Sequence, residues 1–305
     1  MTVGVAGDPH PLLREVAFDV EAGEIVGLVG ESGSGKTMTS LALMGLLPAG
    51  IEFRGGSVRL EGRDLTDDLS CGRTPREITM IFQHPRGALN PTMRVGKQVA
   101  RVLRINQGLS AAEAKERSVE LLSRVGIPGA DRVARAYPHQ LSGGMCQRVM
   151  IAMALGCRPK VLIADEPTTA LDVTIQAQIF DLIRGLVAET SCGVLFITHD
   201  LAAVAEMCDR VVVLYGGQVM EQAPTVDLFE DPRHPYTRYL LESVEREVDP
   251  RAEEKDVDFG LPGCRFAHRC AEAFDRCVGF PPRVEVGDGH VSACFRHLEE
   301  NSVAS

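Results

Sequence analysis

The sequence has no long apolar run. Its hydrophobic stretches near Val26, Val149 and Val211 are short and soon broken by charge or glycine, so none reads as a helix that crosses a bilayer. Met1-Thr2-Val3-Gly4 carries neither a basic region nor an apolar stretch, so no secretory signal is visible and the chain is expected to stay in the cytosol. An excess of positive charge is also missing. Against 32 Lys and Arg stand 42 Asp and Glu, a formal net charge of -10, which argues against a broad electrostatic grip on nucleic acid. Internal repeats, coiled-coil insertions and a basic stripe are absent as well. What is present is ordinary globular composition, 45% hydrophobic over 305 residues, enough for one large core and a smaller second domain. Nine cysteines in a chain without an export signal are not expected to form a disulfide framework. Cys71, Cys146, Cys157, Cys192 and Cys208 are scattered and read as small buried hydrophobes, whereas Cys264, Cys270, Cys277 and Cys294 crowd into the last stretch.

The organisation is that of an α/β protein. An apolar run over 25–29 enters a glycine-rich turn and is followed by a helix-compatible segment over 38–47. A polar, hairpin-like region surrounds Gly55-Gly56 and Gly62. Strand candidates follow at 78–82, 161–164 and 194–198, the last two preceded by helical segments, as in a parallel sheet with crossover helices. The stretch from Val211 to Met220, turning at Gly216-Gly217, predicts a closing hairpin. Beyond Phe229, Pro232, Pro235, Pro250, the charged run Glu253-Glu254-Lys255-Asp256 and Pro262 mark a linker.

Gly30-Glu31-Ser32-Gly33-Ser34-Gly35-Lys36-Thr37 fits G-x-x-x-x-G-K-[ST] between a predicted strand and helix. Its glycines let backbone N–H groups face phosphate oxygens, and the helix N-terminus adds partial positive charge. Lys36 can reach the β- and γ-phosphates, and the Thr37 hydroxyl can ligate Mg²⁺. The run Val161-Leu162-Ile163-Ala164-Asp165-Glu166 ends a buried strand in two carboxylates. Asp165 is expected near Mg²⁺, and Glu166 is free to orient or deprotonate an attacking water. Leu141-Ser142-Gly143-Gly144-Met145 opens a helical segment, so that Ser142, Gly143 and Gly144 offer a second phosphate-binding surface.

With these three motifs in order, the sequence resembles the ATP-binding cassette (ABC) family, whose signature reads LSGGQ. The resemblance implies a P-loop NTPase cassette: a RecA-like parallel sheet core, an antiparallel β-subdomain and an α-helical subdomain, here about 84–158, within residues 1–230. It further implies that Gln83 is the Q-loop glutamine, contacting Mg²⁺ and the catalytic water. Asp172 in Ala170-Leu171-Asp172 matches the D-loop, and His199 matches the switch histidine on the γ-phosphate. In that family two cassettes close head to tail. Ser142 and Gly144 would then cover the partner's ATP, whereas Lys36, Asp165, Glu166 and His199 act on the chain's own. Members supply an early aromatic residue to stack on adenine. This chain has none before Phe18, and Val3 falls near that position.

Met145 in place of Gln, together with His234-Pro235-Tyr236-Thr237, is similar to the D-type ATPase subunit of oligopeptide or dipeptide importers, a branch shared with some nickel importers. That implies ATP and Mg²⁺ as cofactors and work at the cytoplasmic face of the membrane. The implied partners are a paralogous Gln-form cassette, two permease subunits and an extracytoplasmic substrate-binding protein, with no nucleic acid. The segment 231–260 is expected to be a linker and 261–305 a small four-cysteine domain. The spacing Cys264-x5-Cys270-x6-Cys277-x16-Cys294 matches neither common zinc modules nor the bacterial ferredoxin run. In the resembling branch this layout can hold a [4Fe–4S] cluster; Zn²⁺, and free thiols or a labile disulfide, are the alternatives. A soluble cassette ATPase acting on DNA or ribosomes and a metal- or redox-sensing module are the competing functions.

Overall fold

Ile25–Val29 is buried along its whole length, the pattern of a parallel strand covered on both faces. The computed structural model describes residues 1–168, 173–245 and 257–298. In it, Ile25–Val29 pairs in parallel with Arg210–Tyr215, Val26 opposite Arg210 and Val29 opposite Val213. The chain turns back at Gly216 and Gly217, whose φ angles of 52° and 75° suit glycine, into the antiparallel strand Gln218–Pro224. The expected closing hairpin is therefore present.

These strands belong to a compact unit made of residues 1–19, 25–74 and 196–305. The same unit holds an antiparallel three-stranded sheet in the order Pro11–Leu13, Thr2–Val5, Ile51–Gly55, with Val3 and Leu13 opposed and fully buried. It also holds the small hairpin Arg59–Leu60 and Arg63–Asp64. Glu61 and Gly62 both take positive φ there, the backbone of a tight two-residue turn.

The C-terminal part differs from the linker-plus-domain expectation. Pro235–Glu245 is a helix, with Pro235 at its first position, where no intrahelical N–H is needed. His234, Tyr236 and Thr237 are buried, so this stretch is core and not a connecting turn. A separate four-cysteine domain at 261–305 is not shown. Its described residues fall in the same unit as the glycine-rich loop, and Val284–Gly287 and His290–Ser292 form a hairpin that extends the sheet, with Ser292 opposite Glu221. Glu221 explains why this edge closes. Its side chain is 0% exposed, and its carboxylate accepts from His290 Nε2 at 2.6 Å, Arg233 N at 2.6 Å and His234 N at 2.9 Å. A buried carboxylate is tolerated only with such a set of donors.

The other unit comprises residues 20–24 and 75–195. Ile78–Ile81 and Val161–Asp165 run parallel, with Ile78 opposite Val161, and Gly193 N–H donates to the Lys160 carbonyl to start the next strand. Five helices occupy the span between the first two strands: Pro85–Ala88, Val95–Gln107, Ala111–Arg124, Ala130–Ala134 and Gly143–Cys157. Val95, Val99 and Leu103 are fully buried at helical spacing. Ser110 and Glu113 form a reciprocal capping box at the start of Ala111–Arg124.

Residues 169–172, which include Ala170-Leu171-Asp172, lie outside the described residues, as do Pro250 and the charged run over 253–256. Among the described residues no helix is long and apolar enough to cross a membrane. Of the five scattered cysteines, Cys146, Cys192 and Cys208 are buried as expected. Cys71 is exposed and Cys157 half-buried, because Cys71 follows a short helix that ends at the Gly72 turn.

Burial pushes the Glu221 carboxyl up, but hydrogen bonds from His290 and the Arg233 and His234 amides outweigh it and leave the group below the usual 4.5. A depressed carboxyl contributes stability above its unfolded pKa and loses it as pH falls through the folded value. The urea midpoint should therefore fall as pH drops below about 4.5. Glu221→Gln should lower stability at neutral pH by about 2–4 kcal/mol and flatten that acid limb, measured by urea titrations from neutral pH into the acid range.

Candidate nucleotide site

The glycine-rich loop is shaped by close backbone approach. Gly30, Gly33 and Gly35 have φ of 151°, 73° and 103°. A Cβ on Gly30 would lie 2.0 Å from the Leu214 carbonyl oxygen, and one on Gly35 would lie 2.7 Å from Leu13 Cδ2. Ser34 O accepts from Gly217 N at 2.7 Å, tying the loop to the hairpin turn. Lys36, 7% exposed, donates from Nζ to Gly30 O at 2.7 Å, Glu31 O at 2.9 Å and Ser34 Oγ at 3.4 Å. Its ammonium thus lies over the loop it serves. The helix Lys36–Leu43 begins at Gly35 with no side-chain cap and no acid in its first turn. No side chain competes with an anion for its N-terminal amides. Ser32, Gly33 and Thr37 are exposed at the mouth.

In the other unit, Asp165 is 3% exposed at the end of Val161–Asp165. Glu166 follows with φ of 47°, a left-handed backbone uncommon for a side-chain-bearing residue. Gln83 Nε2 donates to Glu166 Oε2 at 2.6 Å, so the structure brings these two expected residues together. Leu141-Ser142-Gly143-Gly144 opens Gly143–Cys157, and the Ser142 Oγ accepts from Met145 N at 3.3 Å, the N-cap expected from the sequence. Ser142 is exposed, while the helix behind it is buried from Cys146 to Ala152. Arg148 anchors that helix, donating to Val125 O at 2.5 Å and to Gln178 Oε1. Arg86, three residues after Gln83, donates to Leu141 O at 3.0 Å. It links the Gln83 segment to the Ser-Gly-Gly segment, and no sequence motif marked it.

His199 lies exposed at the end of Gly193–Ile197, directly before Asp200. The Asp200 carboxylate caps the next helix, accepting from Ala202 N at 2.9 Å and Ala203 N at 3.2 Å. Val3 is 0% exposed and offers no face to an adenine; Phe18 is half-buried. Lys36, Thr37 and His199 belong to one unit, and Gln83, Asp165, Glu166 and Ser142 to the other. Each unit offers hard oxygen donors of the kind Mg²⁺ requires: the Thr37 hydroxyl in the first, and the Gln83 amide and Asp165 carboxylate in the second.

Three further side chains connect the C-terminal segment to the loop. Arg269 forms a two-pronged ion pair with Glu31, Nη1 to Oε2 at 2.8 Å and Nη2 to Oε1 at 3.1 Å. The Tyr236 hydroxyl accepts from Glu31 N at 2.9 Å. Arg265 is 0% exposed and donates to Leu12 O at 3.1 Å, Pro11 O at 2.6 Å and Gly216 O. HPYT was visible in the sequence as a motif; the two arginines carried no signal beyond their place among the cysteines.

Cys264, Cys270, Cys277 and Cys294 line one cavity together with Phe266 and Phe295, enclosing about 20 Å³. That is room for about one water. Burial, reinforced by the neighbouring thiols, pushes the Cys264 thiol up to about 12, and burial also raises Cys270 and Cys294. Among the described residues, no group of three or more His, Cys, Asp or Glu is arranged to hold a metal ion. The four-thiolate centre that the resemblance implies is therefore not formed as arranged: the sulfurs share a wall but not a ligand geometry. His268, His290 and His297, near the cysteines in sequence and able in principle to replace one as a ligand, add no such group among the described residues.

A glycine-rich loop on a strand–helix junction, with a carboxylate-ended strand and a Ser-Gly-Gly helix start, defines a P-loop nucleotide triphosphatase. Residues 13–169 match the family described as ABC transporter, and residues 220–277 match the oligopeptide/dipeptide transporter C-terminal region. The chain is 46% identical to the oligopeptide transport ATP-binding protein AppD of Bacillus subtilis, over 98% of this chain and 94% of that one. It is 47% identical to the oligopeptide transport ATP-binding protein OppD of Escherichia coli, over 94% and 88%. Among solved structures, the ADP- and phosphate-bound dimer of the ATP-binding cassette MJ0796 is 28% identical with a TM-score of 0.63, covering 73% of this chain and 95% of that one. The cbiO1 subunit from Clostridium perfringens is 26% identical with a TM-score of 0.63, covering 82% and 92%. The chain belongs to the ABC transporter family, and its activity is ATP hydrolysis.

Gly30→Ala should displace the loop from Leu214 and weaken MgATP binding by at least about a hundredfold. Gly33→Ala, whose Cβ meets nothing within 4 Å, should cost only the left-handed backbone, about 1–2 kcal/mol. Calorimetric titration of both variants checks the contrast.

Proposed function

We propose that this chain is the ATPase subunit that energises an oligopeptide or dipeptide importer. The reading is carried by the C-terminal transporter region at 220–277, which includes the buried His234-Pro235-Tyr236-Thr237 stretch and lies in the same unit as the phosphate loop. In this proposal the subunit works at the cytoplasmic face of the membrane. Its partners are a paralogous cassette with the Gln-form signature, two permease subunits and an extracytoplasmic substrate-binding protein. Residues 1–230 act as the cassette and about 84–158 as its helical subdomain.

The loop amides of 30–37 and Lys36 bind the phosphates of ATP. Thr37, Gln83 and Asp165 would hold Mg²⁺, which neutralises charge on the β- and γ-oxygens when bound. Glu166 accepts the proton of the attacking water, and Gln83 fixes the carboxylate by its bond to Oε2. His199 contacts the γ-phosphate, and Asp172, the D-loop match, belongs to the nucleotide-binding residues. Ser142, Gly143 and Gly144 cover the nucleotide of the second cassette, which suits the exposure of Ser142. ATP binding closes the pair, and hydrolysis reopens it.

Glu166→Gln should retain MgATP affinity and lose about 10²–10⁴-fold in turnover; unchanged hydrolysis in the assembled transporter would remove Glu166 from the catalytic role.

A [4Fe–4S] cluster, or Zn²⁺ in its place, on Cys264, Cys270, Cys277 and Cys294 is supported by their convergence on one cavity and by the softness of thiolate ligands. Protein prepared anaerobically should carry about four iron and four sulfide per chain, or about one zinc. Absence of all three elements removes the metal proposal.

A further inference from the structure

Glu31 is the one acid within the phosphate loop Gly30–Thr37, a poor choice beside a triphosphate unless its charge is cancelled. Each of its polar groups is committed. Its N–H donates to the Tyr236 hydroxyl at 2.9 Å, and its carbonyl accepts from Lys36 Nζ at 2.9 Å. Its carboxylate takes both prongs of Arg269, with the two side chains only 8% and 9% exposed.

The groups that hold Glu31 are themselves fixed. Arg269 lies 4.9 Å from the Tyr239 ring centroid and 5.8 Å from that of Phe266, and Nη1 reaches the Tyr215 hydroxyl at 3.4 Å. The Tyr236 ring, 0% exposed, packs 4.6 Å from Tyr215 and 5.1 Å from Phe266, centroid to centroid. A planar guanidinium stacked on aromatic rings and bonded through both prongs has one orientation.

A buried ion pair is weak evidence for stability, since desolvation offsets most of its attraction. This pair is placed instead where it sets the charge and conformation of the phosphate loop. We propose that Arg269 and Tyr236 are positioning residues for the nucleotide. Arg269 neutralises Glu31, and Tyr236 holds the Glu31 backbone so that its carbonyl stays on Lys36, leaving the loop preorganised and free of net repulsion toward polyphosphate. The C-terminal segment is thereby a working part of the ATP site. This rests on the ATP-binding reading of the loop.

The test is MgATP, MgADP and adenosine binding to the full chain, with thermal unfolding of each variant recorded in parallel. Arg269→Gln leaves Glu31 unpaired and should weaken MgATP by about tenfold or more, MgADP less and adenosine not at all, the loss growing at low ionic strength. Glu31→Gln with Arg269→Gln replaces the ion pair by a neutral pair of similar shape, so it folds without a stranded charge and should restore most of the affinity. Arg269→Lys, which keeps the charge and loses the second prong, should fall between. Tyr236→Phe keeps the ring and should raise the KM for ATP several-fold with kcat little changed.

Equal losses for all three ligands, or a double variant no better than Arg269→Gln, would overturn the neutralising role. Variants that bind MgATP like the parent while melting earlier would reduce both residues to structural ones. A parent chain that fails to bind MgATP would sink the nucleotide reading itself, a result distinct from either.

Discussion

Much of the unit that carries the phosphate loop depends on one close approach of backbone to backbone. The loop at Gly30–Gly35 lies against the turn at Gly216-Gly217, and that turn lies against the strand Pro11–Leu13. A Cβ on Gly217 would sit 1.8 Å from Leu12 O, and one on Gly30 2.0 Å from Leu214 O, so neither position has room for a side chain. Such contact leaves carbonyl groups facing inward, and buried carbonyls need donors. Arg265 supplies them, reaching the carbonyls of Pro11, Leu12 and Gly216. Its side chain is among the largest fully buried ones described.

The C-terminal segment therefore serves the loop twice. Arg265 satisfies the backbone behind it, and Arg269 pairs with the acid inside it. Between these two arginines and on either side of them run Cys264, Phe266 and Cys270, whose side chains line the four-cysteine cavity. The same short stretch thus lines that cavity on one side and contacts the phosphate loop on the other.

Legibility in the sequence followed the range of the interactions. Gly30 to Thr37, Asp165-Glu166 and Leu141 to Met145 were readable because phosphate binding by a loop and a helix N-terminus is local: a few consecutive residues contain the whole device. The α-helical subdomain followed from the family resemblance, and the buried Val95 and Val99 show the apolar spacing behind one of its helices. His234-Pro235 was misread as part of a linker. Proline at a helix start and proline in a turn have the same local sequence, and only the burial of Tyr236 against Phe266 separates them. The four cysteines were legible as a cluster, but their spacing could not say whether the sulfurs would meet as ligands.

The sequence alone determined a P-loop ATPase of the ABC type and a C-terminal region of the peptide-importer kind, since both are written in short runs whose chemistry is complete in place. Only the tertiary structure decided that the described C-terminal residues fall in the same unit as the phosphate loop, that Gln83 holds Glu166, and that Glu31 is cancelled by Arg269. The last is a contact across 238 residues of chain. No periodicity or spacing encodes such a contact, because it exists only after the sheet has brought the two segments together.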